Sequence, residues 1–238
     1  MASLYMVYSF TRGSLEEKTT VAFENARHII DIEKALHIFV ELDIQSVFLQ
    51  NDFMMHTANV LYTICYYPAV IGFAVWAYWR HRRKYKFMRT VFAIGISIAV
   101  IIFALFPLAP PRFFDGRGMG EDLGFIDTIA QHWHVNEATD QASYNPFAAM
   151  PSMHQGLTLM VAIGIFWMTE SRAGRIFAVI LPLGMFVGIT STANHFILDA
   201  VGGATVILSS FWLTRHLYRY LNKRKSKRVL PLKSGTQT

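Results

Sequence analysis

The chain has 238 residues, 53% hydrophobic and only 16% charged, with a formal net charge of +6. A soluble domain carries about a quarter charged residues, and here the deficit is concentrated in long charge-free runs, which excludes an ordinary soluble class. The basic excess sits in blocks beside those runs rather than on a face with interleaved aromatics, so no nucleic acid partner is expected. Cys65 is the only cysteine, which rules out a disulfide within the chain and argues against a cysteine-based metal site.

In chain order, Met1–Phe10 is apolar but too short for a signal-peptide core with flanks, and too short to span. Whether it belongs to a further membrane helix stays open. Ile29, Ile32, Leu36, Phe39 and Val40 then recur at helical spacing among Asp31, Glu33, Lys34, Glu41 and Asp43. This predicts an amphipathic helix lying along the outer membrane interface. Phe53–Trp79, Thr90–Pro111, Gln141–Thr169 and Ile176–Leu198 contain no Asp, Glu, Lys or Arg, and Phe196–Thr214 is broken only by Asp199. The four charge-free runs each exceed the roughly 20 apolar residues needed to cross a bilayer core. The expected fold is therefore all-α: a polytopic membrane helical bundle with five to six transmembrane helices plus the amphipathic interfacial helix. Residues 1–52 form the N-terminal segment and 53–214 the catalytic bundle, with an external loop over 110–150. Residues 215–238 form a basic tail.

Charge sets the orientation. The connector Arg80–Arg89, the pair Arg172 and Arg175, and the tail from Arg215 hold 16 of the 22 basic residues and one acid, Glu170. By the positive-inside rule these segments are cytoplasmic. Alternation then brings Ala109–Arg112, Pro151–His154 and His195–Asp199 to the external side together. The long loop between them, Asp115–Asn145, is a potential lid.

His195 and Asp199, four apart, would share one helical face, the carboxylate fixing the imidazole tautomer and freeing the other nitrogen for attack. A structural pair is the alternative, but an intramembrane Asp marks function by default. Pro151 suits a first helical turn, where free N–H groups and the Ser152 hydroxyl would bind an anion and His154 would protonate a leaving oxygen. Arg112 would either snorkel to headgroups or grip phosphate through its planar fork. Together these residues form a phosphoryl-transfer set: His195 nucleophile, Asp199 orienter, His154 acid and base, Arg112 and Ser152 phosphate binders.

The segments Ala109-Pro110-Pro111-Arg112, Pro151-Ser152-Met153-His154 and Asn194-His195-Phe196-Ile197-Leu198-Asp199 resemble the three signature motifs of the phosphatidic acid phosphatase type 2 superfamily. Asn145–His154 and Thr192–His195 resemble more narrowly its branch related to inositol phosphorylceramide synthase. The resemblance runs from about Ala22 to Ile207. It implies a helical membrane bundle, metal-independent catalysis without a cofactor, a lipid phosphate ester substrate, and the roles just given. Two departures matter. Leu105 stands where the broader superfamily has a lysine, and Gly188 and Ile189 stand where it has Ser-Arg, a pattern shared by the synthase-related branch. Asn194, Ser191, Asn59, Tyr62 and Arg117 are candidates to compensate.

The expected function is a membrane lipid phosphotransferase moving a phosphate-linked headgroup through a phosphohistidine. The alternative is a phosphatase for phosphatidate or polyprenyl phosphates, and a third reading is a non-catalytic lipid-binding scaffold. The expected partners are membrane lipids. His132 and His134 lack a convincing third ligand, so no metal is expected. A bacterial plasma membrane with the site facing outward is the simplest placement; a Golgi-type lumen has the same topology.

Overall fold

The computed structural model describes residues 2–116, 120–133 and 145–229. The described part is all-helical: α1 Ala2–Ala35, α2 Glu41–Leu49, α3 Asp52–Arg80, α4 Arg82–Leu105, α5 Thr128–Trp133, α6 Met153–Met168, α7 Arg172–Ser191 and α8 Ile197–Val229. A 3-10 turn at Pro111–Phe113 follows α4.

Four helices, α3, α4, α7 and α8, are long and apolar enough to cross a membrane. Of the expected five to six spans, five are reached among the described residues only by including α6, which is apolar but has 16 residues, about 24 Å at 1.5 Å per residue. The charge-free run before it does not extend the helix, because Asn145-Pro146 and Pro151 interrupt it. A shorter helix is accommodated because α6 is the hub, packed on α3, α4, α7 and α8. Leu157, Met160, Val161 and Met168 on α6 join Phe73, Met88, Val91, Met185 and Ile207 in the central core. The outward faces remain apolar: Leu105 is 79% exposed and Leu183 61%. A helix apolar on all sides needs an apolar solvent, and a bilayer supplies it.

The crossing of α6 and α8 is close because glycine permits it. A Cβ on Gly203 would collide with the Ser152 carbonyl, and one on Gly156 with the Gly203 carbonyl. Small residues let membrane helices approach to backbone contact. That contact sets the height of His154 relative to His195.

The N-terminal segment departs from expectation in two ways. The amphipathic stretch is not one helix over Ile29–Val40: α1 ends at Ala35, His37 takes a left-handed φ of 58°, and α2 begins at Glu41. The apolar stripe also starts earlier, and its partner is protein. Ala22, Phe23, Ala26, Ile29 and Ile30 are buried with Leu108, Phe114, Phe125, Ala149 and Phe196 in a second core, while Ile32 and Leu36 are exposed. Residues 2–10 continue α1 as helix, and α8 likewise runs through the tail boundary to Val229.

Candidate active site

The three motif segments meet at one end of the bundle, and backbone hydrogen bonds hold them there. The Arg112 amide donates to the Ala193 carbonyl at 2.8 Å, tying the first segment to the third. The Ser152 amide donates to the Asp199 carbonyl at 2.9 Å, tying the second to the third. Asn25 on α1 donates to the Pro107 carbonyl at 2.8 Å, so α1 anchors the chain just ahead of the first segment.

His195 does not share a helix with Asp199, as the spacing of four predicted. It sits two residues before α8, on the turn that leaves α7. Ala193 adopts φ 53°, and the amides of Asn194 and His195 both fold back onto the Ile189 carbonyl, at 3.0 and 3.2 Å. A left-handed non-glycine residue costs energy and is kept where surrounding contacts enforce it. The predicted pairing survives this change of backbone: His195 Nδ1 lies 3.4 Å from Asp199 Oδ2. It lies nearer, at 2.9 Å, to the Ala149 carbonyl. A carbonyl oxygen only accepts, so Nδ1 carries the hydrogen and Nε2 keeps its lone pair.

His154 occupies the first turn of α6, with its ring centroid 5.8 Å from that of His195. Two tyrosines set its plane. Tyr62 stacks at 4.5 Å and Tyr66 at 4.4 Å, both tilted, and Tyr62 also meets the His195 ring edge-on at 6.3 Å. Tyr62 stands on a π-helical turn, Leu61–Cys65, inside α3. Such turns are inserted often at functional sites. Tyr62 was picked out by position near the end of a run; Tyr66, one turn on, was missed although the spacing of four offered it.

Pro151 lies before the helix rather than in its first turn. Ser152 is the N-cap, its hydroxyl accepting from the Gln155 amide at 3.4 Å, and is fully buried. The first backbone bond of α6 runs from the Gly156 amide to the Ser152 carbonyl, so the amides of Met153 and His154 precede it. They are the amides a helix N-terminus offers an anion.

Arg112 is 6% exposed, and its Nη1 lies 3.8 Å from Asp127 Oδ2. Asp127 was not foreseen; it also caps α5, its Oδ1 accepting from the Ile129 and Ala130 amides at 3.1 and 3.0 Å. Three candidates make structural bonds. Asn194 donates to the Thr192 hydroxyl at 2.8 Å, Ser191 donates to the Val187 carbonyl at 2.7 Å, and Asn59 accepts from the Thr128 hydroxyl at 3.0 Å. Arg117 and His134 lie outside the described residues, as does the side chain of His132. No cluster of three or more His, Cys, Asp or Glu suited to a metal occurs among the described residues.

Sequence reasoning also missed two buried carboxylates. Glu41 accepts from the Ile197 amide at 2.9 Å and Glu33 from the Leu198 amide at 2.8 Å, while Asp199 Oδ2 accepts from the Phe196 amide at 2.9 Å. The start of α8 is thus capped by acids from three helices. The spacing sets Glu33 and Glu41 among the polar positions of an amphipathic helix; both are fully buried.

The family model described as "PAP2 superfamily" matches residues 27–213, a span that includes all three motif segments. Comparison with curated proteins and with solved structures gives no match.

Proposed function

The chain belongs to the PAP2 superfamily, whose chemistry is that of phosphatases and phosphotransferases on phosphate esters, and from that premise we propose a lipid phosphotransferase acting through a phosphohistidine. His195 Nε2 attacks phosphorus while the ester oxygen departs, and His154 gives that oxygen its proton. His154 then takes a proton from an acceptor hydroxyl, which attacks the phosphohistidine and restores His195. Asp199 and the Ala149 carbonyl steady the charged ring through Nδ1–H. Arg112 and the first-turn amides of α6 take the non-bridging oxygens. No step needs a metal.

The observation that carries the reading is the pairing of the two imidazoles at 5.8 Å, with His195 fixed in the Nδ1–H tautomer by Ala149. Two features favour a diester and a transferred headgroup over a monoester. Leu105 points away at 79% exposure and Ile189 is fully buried, so neither position adds a cation. The Arg112 charge is moreover partly answered by Asp127. A diester carries one negative charge and needs less neutralising than a monoester dianion.

The same proposal puts the site at the extracytoplasmic face of a bacterial plasma membrane. Support comes from the basic connectors, which gather at the opposite end: Lys84, at the start of α4, donates to the Trp167 carbonyl at the end of α6.

The test offers detergent-purified protein phosphatidylinositol, phosphatidate and a polyprenyl phosphate with EDTA, following inorganic phosphate and new lipids together, with His195→Ala alongside. Diacylglycerol from the diester, with its headgroup on an acceptor and none of this in the mutant, establishes the transferase. Histidine-dependent release of inorganic phosphate from a monoester establishes the phosphatase instead.

A further inference from the structure

Two of the amide hydrogen bonds that close the start of α8 come from outside the three motifs. A helix leaves its first amides without intrahelical partners. Here those of Ile197 and Leu198 are taken by Glu41 on α2 and Glu33 on α1, more than 150 residues earlier in the chain. These two bonds lie between His195 and Asp199 in sequence, on the segment whose geometry the reaction uses. We propose that Glu33 and Glu41 act together as positioning residues for the nucleophile, gripping the Leu198 and Ile197 amides so that His195 and Asp199 keep their relative placement. The inference rests on the reading of His195 as nucleophile.

The pair has a second property. Each carboxylate spends Oε1 on an amide, and no other donor among the described residues reaches either Oε2. The two carboxylates instead bear on one another electrostatically. Burial first, then Glu41 and the charge of Asp199, push Glu33 up to about 9, against the pull of the Leu198 amide. The titratable groups bearing on Glu33 are thus Glu41 from α2 and Asp199 from α8, with His195 beyond Asp199. At neutral pH Glu33 therefore keeps its proton. Losing that proton leaves two adjacent buried carboxylates, which repel and pull against the amides they hold.

Glutamine at position 33 keeps an accepting oxygen and supplies a permanent donor to Glu41; alanine supplies neither. The full chain in detergent is assayed on the substrates above as wild type, Glu33→Ala, Glu33→Gln and His195→Ala, with folding checked by gel filtration. Amide hydrogen exchange over residues 196–199 is measured alongside as a readout independent of turnover. The expected results are a kcat about 10- to 100-fold lower in Glu33→Ala, the size of effect a small misplacement produces, with KM nearly unchanged and faster exchange confined to 196–199. Glu33→Gln restores both. Wild-type activity falls reversibly as pH rises through about 9, and the fall is absent in Glu33→Gln. Should Glu33→Ala not fold, the exchange and alkaline limb of Glu33→Gln decide alone. Wild-type kinetics and exchange in Glu33→Ala would overturn the proposal, as would a Glu33→Gln protein with the wild-type alkaline limb. A His195→Ala protein with wild-type activity would instead overturn the proposed function while leaving the exchange result standing.

Discussion

Replacing Asp199 with asparagine separates two jobs that a carboxylate beside a histidine can do. Where the carboxylate alone fixes the tautomer, losing it costs about 10⁴ in rate, because the wrong nitrogen then carries the hydrogen. Here the Ala149 carbonyl, at 2.9 Å, is the nearer acceptor for Nδ1–H, and Asp199 stands at 3.4 Å. The tautomer therefore survives in Asp199→Asn, and only the charge interaction is lost. Two unit charges 3.4 Å apart interact by about 5 kcal/mol at an effective dielectric constant of about 20. With about half of the ring's positive charge developed in the transition state, the loss is roughly 2.5 kcal/mol, or about 10²-fold in kcat. The assay is kcat at neutral pH in detergent for wild type, Asp199→Asn and His195→Ala. Activity within threefold of wild type would remove Asp199 from the chemistry. Activity as low as His195→Ala would show that the Ala149 carbonyl does not hold the tautomer.

Arg112→Lys keeps the charge and loses the planar fork, so kcat/KM is expected to fall at least about tenfold; an unchanged value would place Arg112 outside the phosphate site. Gly203→Ala drives a methyl into the Ser152 carbonyl, and overpacking of this kind costs about 1–3 kcal/mol, read as a lower Tm together with reduced activity. Glu33 holds its proton far more tightly in the folded chain, at about 9, than at its ordinary value of 4.5. Its contribution to stability is complete below about 4.5 and is lost as pH climbs toward 9. Tm should therefore decline across that window, and Glu33→Gln should flatten the slope; an identical slope in the variant refutes the buried proton.

What the sequence made legible was what local spacing and charge encode. The charge-free runs gave the all-helical class, since only a continuous apolar stretch satisfies its own backbone within lipid. Charge asymmetry and alternation brought Arg112, His154, His195 and Asp199 to one end, and the structure joins their segments there. What stayed hidden depends on contacts between distant segments. Glu33 and Glu41 look like any acids on an amphipathic helix, and only their pairing with amides at positions 197 and 198 explains their burial. Asp127 reads as a loop acid until Arg112 is set beside it. The tie from His195 to Ala149 involves a carbonyl, which every residue has and no pattern marks. The backbone before α8 was misjudged for a related reason: a spacing of four is helical by default, yet here a left-handed Ala193 and the Ile189 carbonyl produce the same side-chain contact from a turn.

The missed acids bear on the substrate as well as on geometry. Where the segments meet, the Arg112 guanidinium stands beside Asp127, while Asp199, Glu33 and Glu41 gather at the start of α8. On the function proposed above, a monoester dianion would bring two charges to Arg112, whereas a diester would bring one to Arg112 and the first-turn amides of α6. Protonation of His154 for leaving-group expulsion then helps either substrate equally and does not change the preference. On the proposals above, the same acids that position His195 would disfavour highly charged esters, the direction in which Leu105, Gly188 and Ile189 also point.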